Sequence, residues 1–508
     1  MFPGDADWSN ANRRIRHARP RRLFFPGPRG VSCAVATASQ SDPLNATDLP
    51  LPATSRLAKS LRARHLVMIS IGGIIGAGVF VSSSAAIASI GPAVILSYIS
   101  AGLVVYGVIR ILARMAMDQP GLGSFTEYVR TALGDSAGFI TGWLYWWFCV
   151  VVVAIEALAG AATIQSWLPD LEIWQIGLAL MVVLTAVNLA SARSYGEFEF
   201  WFASIKVAAI VVFIVVTASW LLGVGTSSSP GISNLTAHQG FAPFGWAAIL
   251  TGVTTVIFSM VGAEIVTVAA AESAESNKTM SRLAATVVLR ILLFYVLSIA
   301  LILCVVPWSD FKGTESTFAF ALDRIGIPGS ATIMNVVVLT AVLSCLNSGV
   351  YVTARVLFAL ADKGDAPRWL VAVNKRHVPS RAILLGSAFG FLVMLVTWVA
   401  PEKLFKFLLN SCGALMLFTY LFVVMAHFWF PYTDARNRGG AGTRVVAGGA
   451  ALAMFGVLVA MCFMPGKRPE MLASSACLAV ILVALLVRRA TGRAASSYPT
   501  AGAKQSTP

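Results

Sequence analysis

Apolar residues in this chain come in long unbroken runs. The runs lie near 66–90, 93–115, 137–165, 174–192, 199–224, 246–272, 284–307, 330–361, 382–400, 404–430, 444–464 and 471–488. A helix of about 20 apolar residues spans a bilayer. A closed barrel also satisfies its backbone in lipid, but its strands alternate apolar and polar positions. These runs do not alternate, so the pattern predicts an all-α membrane protein with about twelve transmembrane helices. Polar segments flank the block. Residues 1–64 form a basic, Pro/Ser/Ala-rich tail that lacks the apolar core of a signal peptide, and 489–508 form a second polar tail. Both are expected to be disordered. Between them, 65–432 read as a ten-helix core and 433–488 as two additional helices.

Composition agrees: only 12% of the 508 residues are charged, against about 25% in soluble proteins. The net charge of +15 matters through its placement. With the N-terminus inside, 31 of the 38 Lys and Arg fall on cytoplasmic segments or nearby helix ends. Lys312, Arg324, Lys403, Lys406, Lys467 and Arg468 fall outside, and Lys206 lies within a span. This is the positive-inside bias; it predicts a multi-pass protein of the cell membrane with both termini cytoplasmic. The charge is thereby assigned to topology and the lipid surface, not to nucleic acid. The seven cysteines lie mostly in apolar runs without metal or redox spacing, and the five histidines form no cluster. No metal or cofactor is expected, and the cysteines read as packing residues. Asn234 opens an N-x-T triplet in the polar connector 225–245.

Two runs are interrupted. The first contains "IGGIIGAGVF", Ile71 to Phe80, with four glycines; each costs a helix roughly 1 kcal/mol relative to alanine. A phosphate-binding loop would need a preceding strand, which is absent. Gly72 and Gly76 have the GxxxG spacing of a packing face, but this leaves Gly78 unexplained. The sixth run contains "FSMVGAE", Phe258 to Glu264. Two interruptions five helices apart fit a 5+5 inverted repeat with broken helices 1 and 6, as in many transporters. Unwinding at Gly76–Gly78 frees N–H groups that attract a carboxylate. The last carbonyls of the outer half of the sixth span, near Phe258, attract an ammonium. The paired breaks therefore suit a small zwitterionic amino acid.

Glu156, Lys206 and Glu264 lie well inside spans, where each costs about 3 kcal/mol. Glu156 reads as a cavity-facing proton relay or as a packing hydrogen bond. Lys206 reads as a built-in cation or as a lysine that snorkels to the interface. Glu264 can cap the inner half of the sixth span, handle substrate or proton, or do both. In "SCLNSG", Ser344, Asn347 and Ser348 face the pathway or bond between helices. The aromatic run "GWLYWWF" reads as an interfacial belt or packing.

The motifs "GGIIGAGVF", "GPAVILSYISAGLVV", "GSFTEYV", "GFITGWLYWWF", "YGEFEFWFASIKV", "FSMVGAEIVTVAAAES" and "SCLNSGVYVTARVLFALADKGDAP" resemble those of amino acid permeases of the amino acid–polyamine–organocation superfamily. The resemblance runs from about His65 to at least Phe430. "GAEIVTVAAAES" and "LFKFLLNSCGA" are most similar to the bacterial gamma-aminobutyrate branch. The resemblance implies the 5+5 fold and proton-coupled amino acid uptake. It implies carboxylate binding at the backbone of Gly76, Ala77 and Gly78. It implies amino-group binding near Ile71 and from Phe258 through Ser259 to Gly262. Lys206 matches the family lysine at the sodium position of sodium-coupled relatives, and Glu156 and Glu264 match acidic positions of the branch. Arg114 stands where the family usually has a glutamate. The chain is expected to be a transporter driven by a proton gradient or by exchange, not an enzyme, since no catalytic motif is present. Neutral α-amino acids (alanine, glycine, serine or proline) are the alternative substrates, and a non-transporting receptor is the alternative class.

Overall fold

The computed structural model describes residues 71–491 apart from 72, 120–123, 191, 225–230, 263, 265–276, 314–315 and 399–400. The tail 1–64, the last residues 492–508 and part of the connector 225–245 lie outside the described residues. The described chain is helical throughout, with α1 Ala77–Phe80, α2 Ser82–Ile90, α3 Val94–Asp118, α4 Phe125–Leu133, α5 Asp135–Gln165, α6 Ile173–Ala190, α7 Ala192–Leu221, α8 Ala247–Ile257, α9 Asn277–Val305, α10 Thr317–Ile325, α11 Ser330–Asp362, α12 Ser380–Val396, α13 Pro401–Trp429, α14 Ala441–Phe463 and α15 Arg468–Ala490.

Nine stretches among the described residues are long and apolar enough to cross a membrane. One of them, Ala77–Asp118, is interrupted at Gly91–Ala93, where Gly91 has φ 73°, and so supplies two of the expected spans. The shorter apolar segments Ala247–Met260 and Ser380–Val396 correspond to the sixth and ninth. The sequence pattern did not mark α4 or α10. Each has nine residues and a stop signal in the chain: Ser124 caps α4 and Gly134 (φ 90°) ends it, while Ser316 caps α10 and Gly326 (φ 83°) ends it. Such short amphipathic connectors do not register as apolar runs.

Helices α5, α6, α11 and α12 pack on one another as a scaffold. Helices α3, α8 and α9 form a second group, and α13 touches both through α5 and α8. The added pair α14 and α15 leans on α13. Small residues allow the close approaches. A Cβ on Gly413 of α13 would lie 2.0 Å from the Thr254 carbonyl oxygen of α8. Side-chain amides and hydroxyls bond across helices where lipid offers no partner: Asn188 donates to Asn347 Oδ1 at 2.8 Å, and Thr185 meets Ser387 at 3.2 Å.

Charges gather at the Lys/Arg-rich face. The Asp365 side chain is fully buried between Arg130, which follows the second span, and Arg488 at the end of α15 (2.8 Å). Both arginines also pair with Asp135, and Lys363 lies 3.3 Å from Glu127. Burial holds the Asp365 carboxyl above the usual carboxylate range despite the two guanidinium groups. The cluster joins α4, α5, the loop after α11 and the end of α15. Removing one member of a buried ion cluster typically costs about 3 kcal/mol, because the opposite charges lose their partner. Asp365→Ala should therefore lower the thermal unfolding temperature of the detergent-purified protein, while Asp323→Ala in the exposed turn at the end of α10 should not. Equal melting of the two variants would refute a structural role for the cluster.

Candidate functional site

The first span is helical at Gly73–Ile74, loses regular geometry at Ile75–Gly76 and resumes at Ala77. The sixth span passes from α8 into a tight turn, Phe258–Met260, then to extended Val261 (φ −78°, ψ 150°) and Gly262 at φ 130°. Only glycine adopts the last conformation readily. The two irregular segments touch backbone to backbone. A Cβ on Gly78 would lie 2.5 Å from Ser259 Cα, and one on Gly262 would lie 2.7 Å from the Gly73 carbonyl oxygen.

Several of the freed backbone groups are met by side chains, some from other helices. The Ala77 N–H donates to both carboxylate oxygens of Glu156, at 3.1 Å each. The Tyr295 hydroxyl donates to the Ile74 carbonyl at 3.2 Å, and the Cys345 thiol to the Gly73 carbonyl at 3.5 Å. The Ser82 hydroxyl donates to the Gly78 carbonyl. In the sixth span the Gly262 N–H donates to Glu264 at 3.2 Å, and the same carboxylate accepts from Tyr145 (3.3 Å) and Tyr420 (3.2 Å). Between the breaks lies a cavity of about 40 Å³ lined by Gly73, Gly78, Tyr145, Glu156, Phe258 and Glu264, among others. That is room for about three waters, so the segments are closely apposed around the site.

The remaining residues singled out from sequence fall in distinct places. Ile71 uses its carbonyl inside the helix, accepting the Ile75 N–H at 3.0 Å. The Ser259 hydroxyl bonds back to the Val256 carbonyl at 2.6 Å. Ser348 lines the cavity. Ser344 donates to Glu199 at 2.6 Å, and Asn347 is engaged with Asn188 at the α6–α11 contact. Lys206 is wholly buried and does not reach an interface; its ammonium lies 3.9 Å from Glu199 and within electrostatic range of Glu156. Asn234 donates to the Cys304 carbonyl at 2.8 Å. Arg114 lies outside the cavity wall, donating to the Asn437 carbonyl at 3.4 Å.

Four further participants were not assigned to the site from sequence. Glu199 precedes Lys206 by seven residues, two helical turns, which places both on one face of α7; that spacing was the available signal. Tyr145 is buried at the cavity, not in an interfacial belt, and Tyr420 reaches it from α13. Cys345 is part of the cavity wall as well as a packing residue.

The first break is covered on the face opposite the Lys/Arg-rich one. Phe318 of α10 is fully buried between Phe80 (4.8 Å) and Phe213 (4.5 Å). The hydroxyls of Ser83 and Thr317 meet at 2.5 Å, and the Gly313 N–H donates to Ser84 at 3.1 Å.

Two apposed breaks in a helical membrane bundle, with buried carboxylates beside them, define a transporter architecture. A profile of the Amino acid permease family matches residues 65–488. The chain belongs to this family and is a multi-pass amino acid transporter of the plasma membrane. It is 41% identical to a gamma-aminobutyric acid permease of Bacillus subtilis over 455 residues, covering 86% of this chain and 94% of that relative. It is 46% identical to a probable GABA permease of Pseudomonas aeruginosa, covering 75% of this chain and 81% of the relative. A gamma-aminobutyric acid permease of Escherichia coli is 42% identical, with 73% and 80% covered.

The Gly78 contact generates a test. Gly78→Val inserts side-chain atoms where Ser259 lies, an overpacking that costs about 1–3 kcal/mol. Amino acid uptake by cells should fall about tenfold or more, with the amount of protein in the membrane unchanged. Uptake at the parent level would show that the two breaks need not touch.

Proposed function

We propose that this permease imports gamma-aminobutyrate, or a small amino acid close to it, together with a proton. The observation that carries the reading is the bond from the Ala77 N–H to Glu156. This N–H is the donor expected to receive the substrate carboxylate, and the protein's own carboxylate occupies it. Two ionised carboxylates repel at such a site, and protonation of one relieves the repulsion. A substrate carboxylate therefore enters most favourably as Glu156 takes up a proton and releases Ala77. The substrate ammonium is assigned to the carbonyls at the sixth-span break, around Phe258 and Ser259. Gamma-aminobutyrate separates its charges by two more methylenes than an α-amino acid does, which suits a donor and acceptors on two different spans. The names of the three relatives support this substrate.

Lys206 is proposed as a fixed cation whose charge is balanced by Glu199, leaving Glu156 to titrate. The ten-helix core 65–432, the added pair 433–488 and the cytoplasmic tails remain the working division of the chain. Cytoplasmic termini follow from the Lys and Arg distribution, which puts the α10 cover on the outside.

The test is uptake by the purified protein in proteoliposomes. An inward gradient of about one pH unit stores ~1.4 kcal/mol per proton and supports about tenfold accumulation of labelled gamma-aminobutyrate. Accumulation of alanine but not gamma-aminobutyrate would overturn the substrate, and accumulation indifferent to the gradient would overturn proton coupling. Glu156→Gln should retain exchange of internal for external substrate yet lose gradient-driven accumulation. A Gln variant that still accumulates against the gradient sinks the role given to Glu156.

A further inference from the structure

The turn between α14 and α15 carries two adjacent cations with different surroundings. Arg468 is exposed and donates to the Cys462 carbonyl at 3.0 Å, within its own hairpin. Lys467 instead reaches into the core, where its ammonium donates to Asn410 Oδ1 of α13 at 2.8 Å and to Thr255 Oγ1 of α8 at 3.3 Å. Thr255 itself donates to the same Asn410 oxygen at 3.1 Å, and the Asn410 amide donates to Glu470 of α15 at 3.2 Å. Asn410 and Thr255 are buried. Three elements thus share one oxygen. The node lies one helical turn before the Phe258–Met260 break and beside the place where Gly413 meets the Thr254 carbonyl.

We propose that Lys467 is the pin of an outer latch, by which the added helix pair holds α8 against α13 and keeps the sixth-span break closed to the outside. This rests on the orientation and transport reading given above. Helix α8 is the outer half of the broken span and must part from α13 or tilt along it for substrate to enter from outside. While the ammonium bridges Asn410 and Thr255, that motion breaks charge-assisted hydrogen bonds, which are stronger than neutral ones. Lys467 is not among the residues lining the cavity; it acts through the position of α8.

The cavity thiols of Cys149 and Cys345 report opening. Intact cells are treated with a membrane-impermeant cationic methanethiosulfonate, and modification of each thiol is followed by mass spectrometry. Lys467→Met should raise their modification rate about tenfold, the scale of losing one hydrogen bond to a charged group. Lys467→Arg should stay near the parent rate. Arg468→Met removes a neighbouring charge without touching α8 or α13 and should leave the rate unchanged. Thr255→Val, which removes one acceptor and keeps the lysine, should give an intermediate rise and serves if the lysine variant fails to reach the membrane. Parent-like rates in both Lys467→Met and Thr255→Val, or an equal rise in Arg468→Met, would overturn the latch. Protection of the thiols by gamma-aminobutyrate tests the site separately: unprotected thiols with an intact Lys467 effect would sink the substrate site and leave the latch standing.

Discussion

The structure depends on satisfying the backbone of two interrupted helices inside a membrane. Lipid offers no hydrogen bonds, so every N–H and C=O freed by a break needs a protein partner. The first break draws Glu156 from α5, Tyr295 from α9 and Cys345 from α11. The second is held by Glu264, which is held in turn by Tyr145 of α5 and Tyr420 of α13. These partners come from the scaffold, the second helix group and the helix between them. The packing of the bundle is thereby tied to the geometry of the breaks, and a helix that shifts relative to its neighbours changes which backbone groups are free.

The same demand separates the two acidic residues beside the cavity. Glu264 accepts from one N–H and two tyrosine hydroxyls, a set of neutral donors contributed by three elements. Glu156 holds the Ala77 N–H, at the residue where the first span resumes, and is also bonded by the Cys345 side chain. On the proposed transport reading, Glu264, held by two tyrosines, braces the sixth span, and Glu156, on the Ala77 N–H, is the carboxylate suited to give way to a ligand.

Much of this was legible in sequence because the signals are local. Apolar runs located the spans; a glycine cluster located the first break, and the small residues and carboxylate of "FSMVGAE" located the second. Gly78 and Gly262 are places where a side chain would strike the other segment. Glu156 and Glu264 stood out as carboxylates in apolar runs. Residues that act across helices were not legible in the same way. Tyr145 looks like one more ring in an aromatic run, and Tyr420 like one more apolar residue, until their hydroxyls are seen to meet at Glu264. Asn347 reads equally well as a pathway or a packing residue, because the sequence does not say that Asn188 faces it. Glu199 is the instructive omission: its spacing to Lys206 was visible, but the pairing needs both side chains on the buried face of α7, and that face is set by α11.

The buried charges around Lys206 bear directly on the proposed coupling. Lys206 lies beside Glu199 and near Glu156, all three fully or almost fully buried. With every group ionised the trio carries one excess negative charge, and a zwitterion adds none. Low-dielectric surroundings penalise such an excess, and a proton on Glu156 removes it. Without Lys206 the excess would double, and without Glu199 the trio would be neutral and have no need of a proton. Under the proposed coupling, the pair on α7 would set the charge at which Glu156 works, although Glu199 is not among the residues lining the cavity. On the proton-coupled reading, removing the Glu199 charge should weaken coupling in the same direction as removing that of Glu156, which distinguishes a shared electrostatic balance from a relay through a single residue.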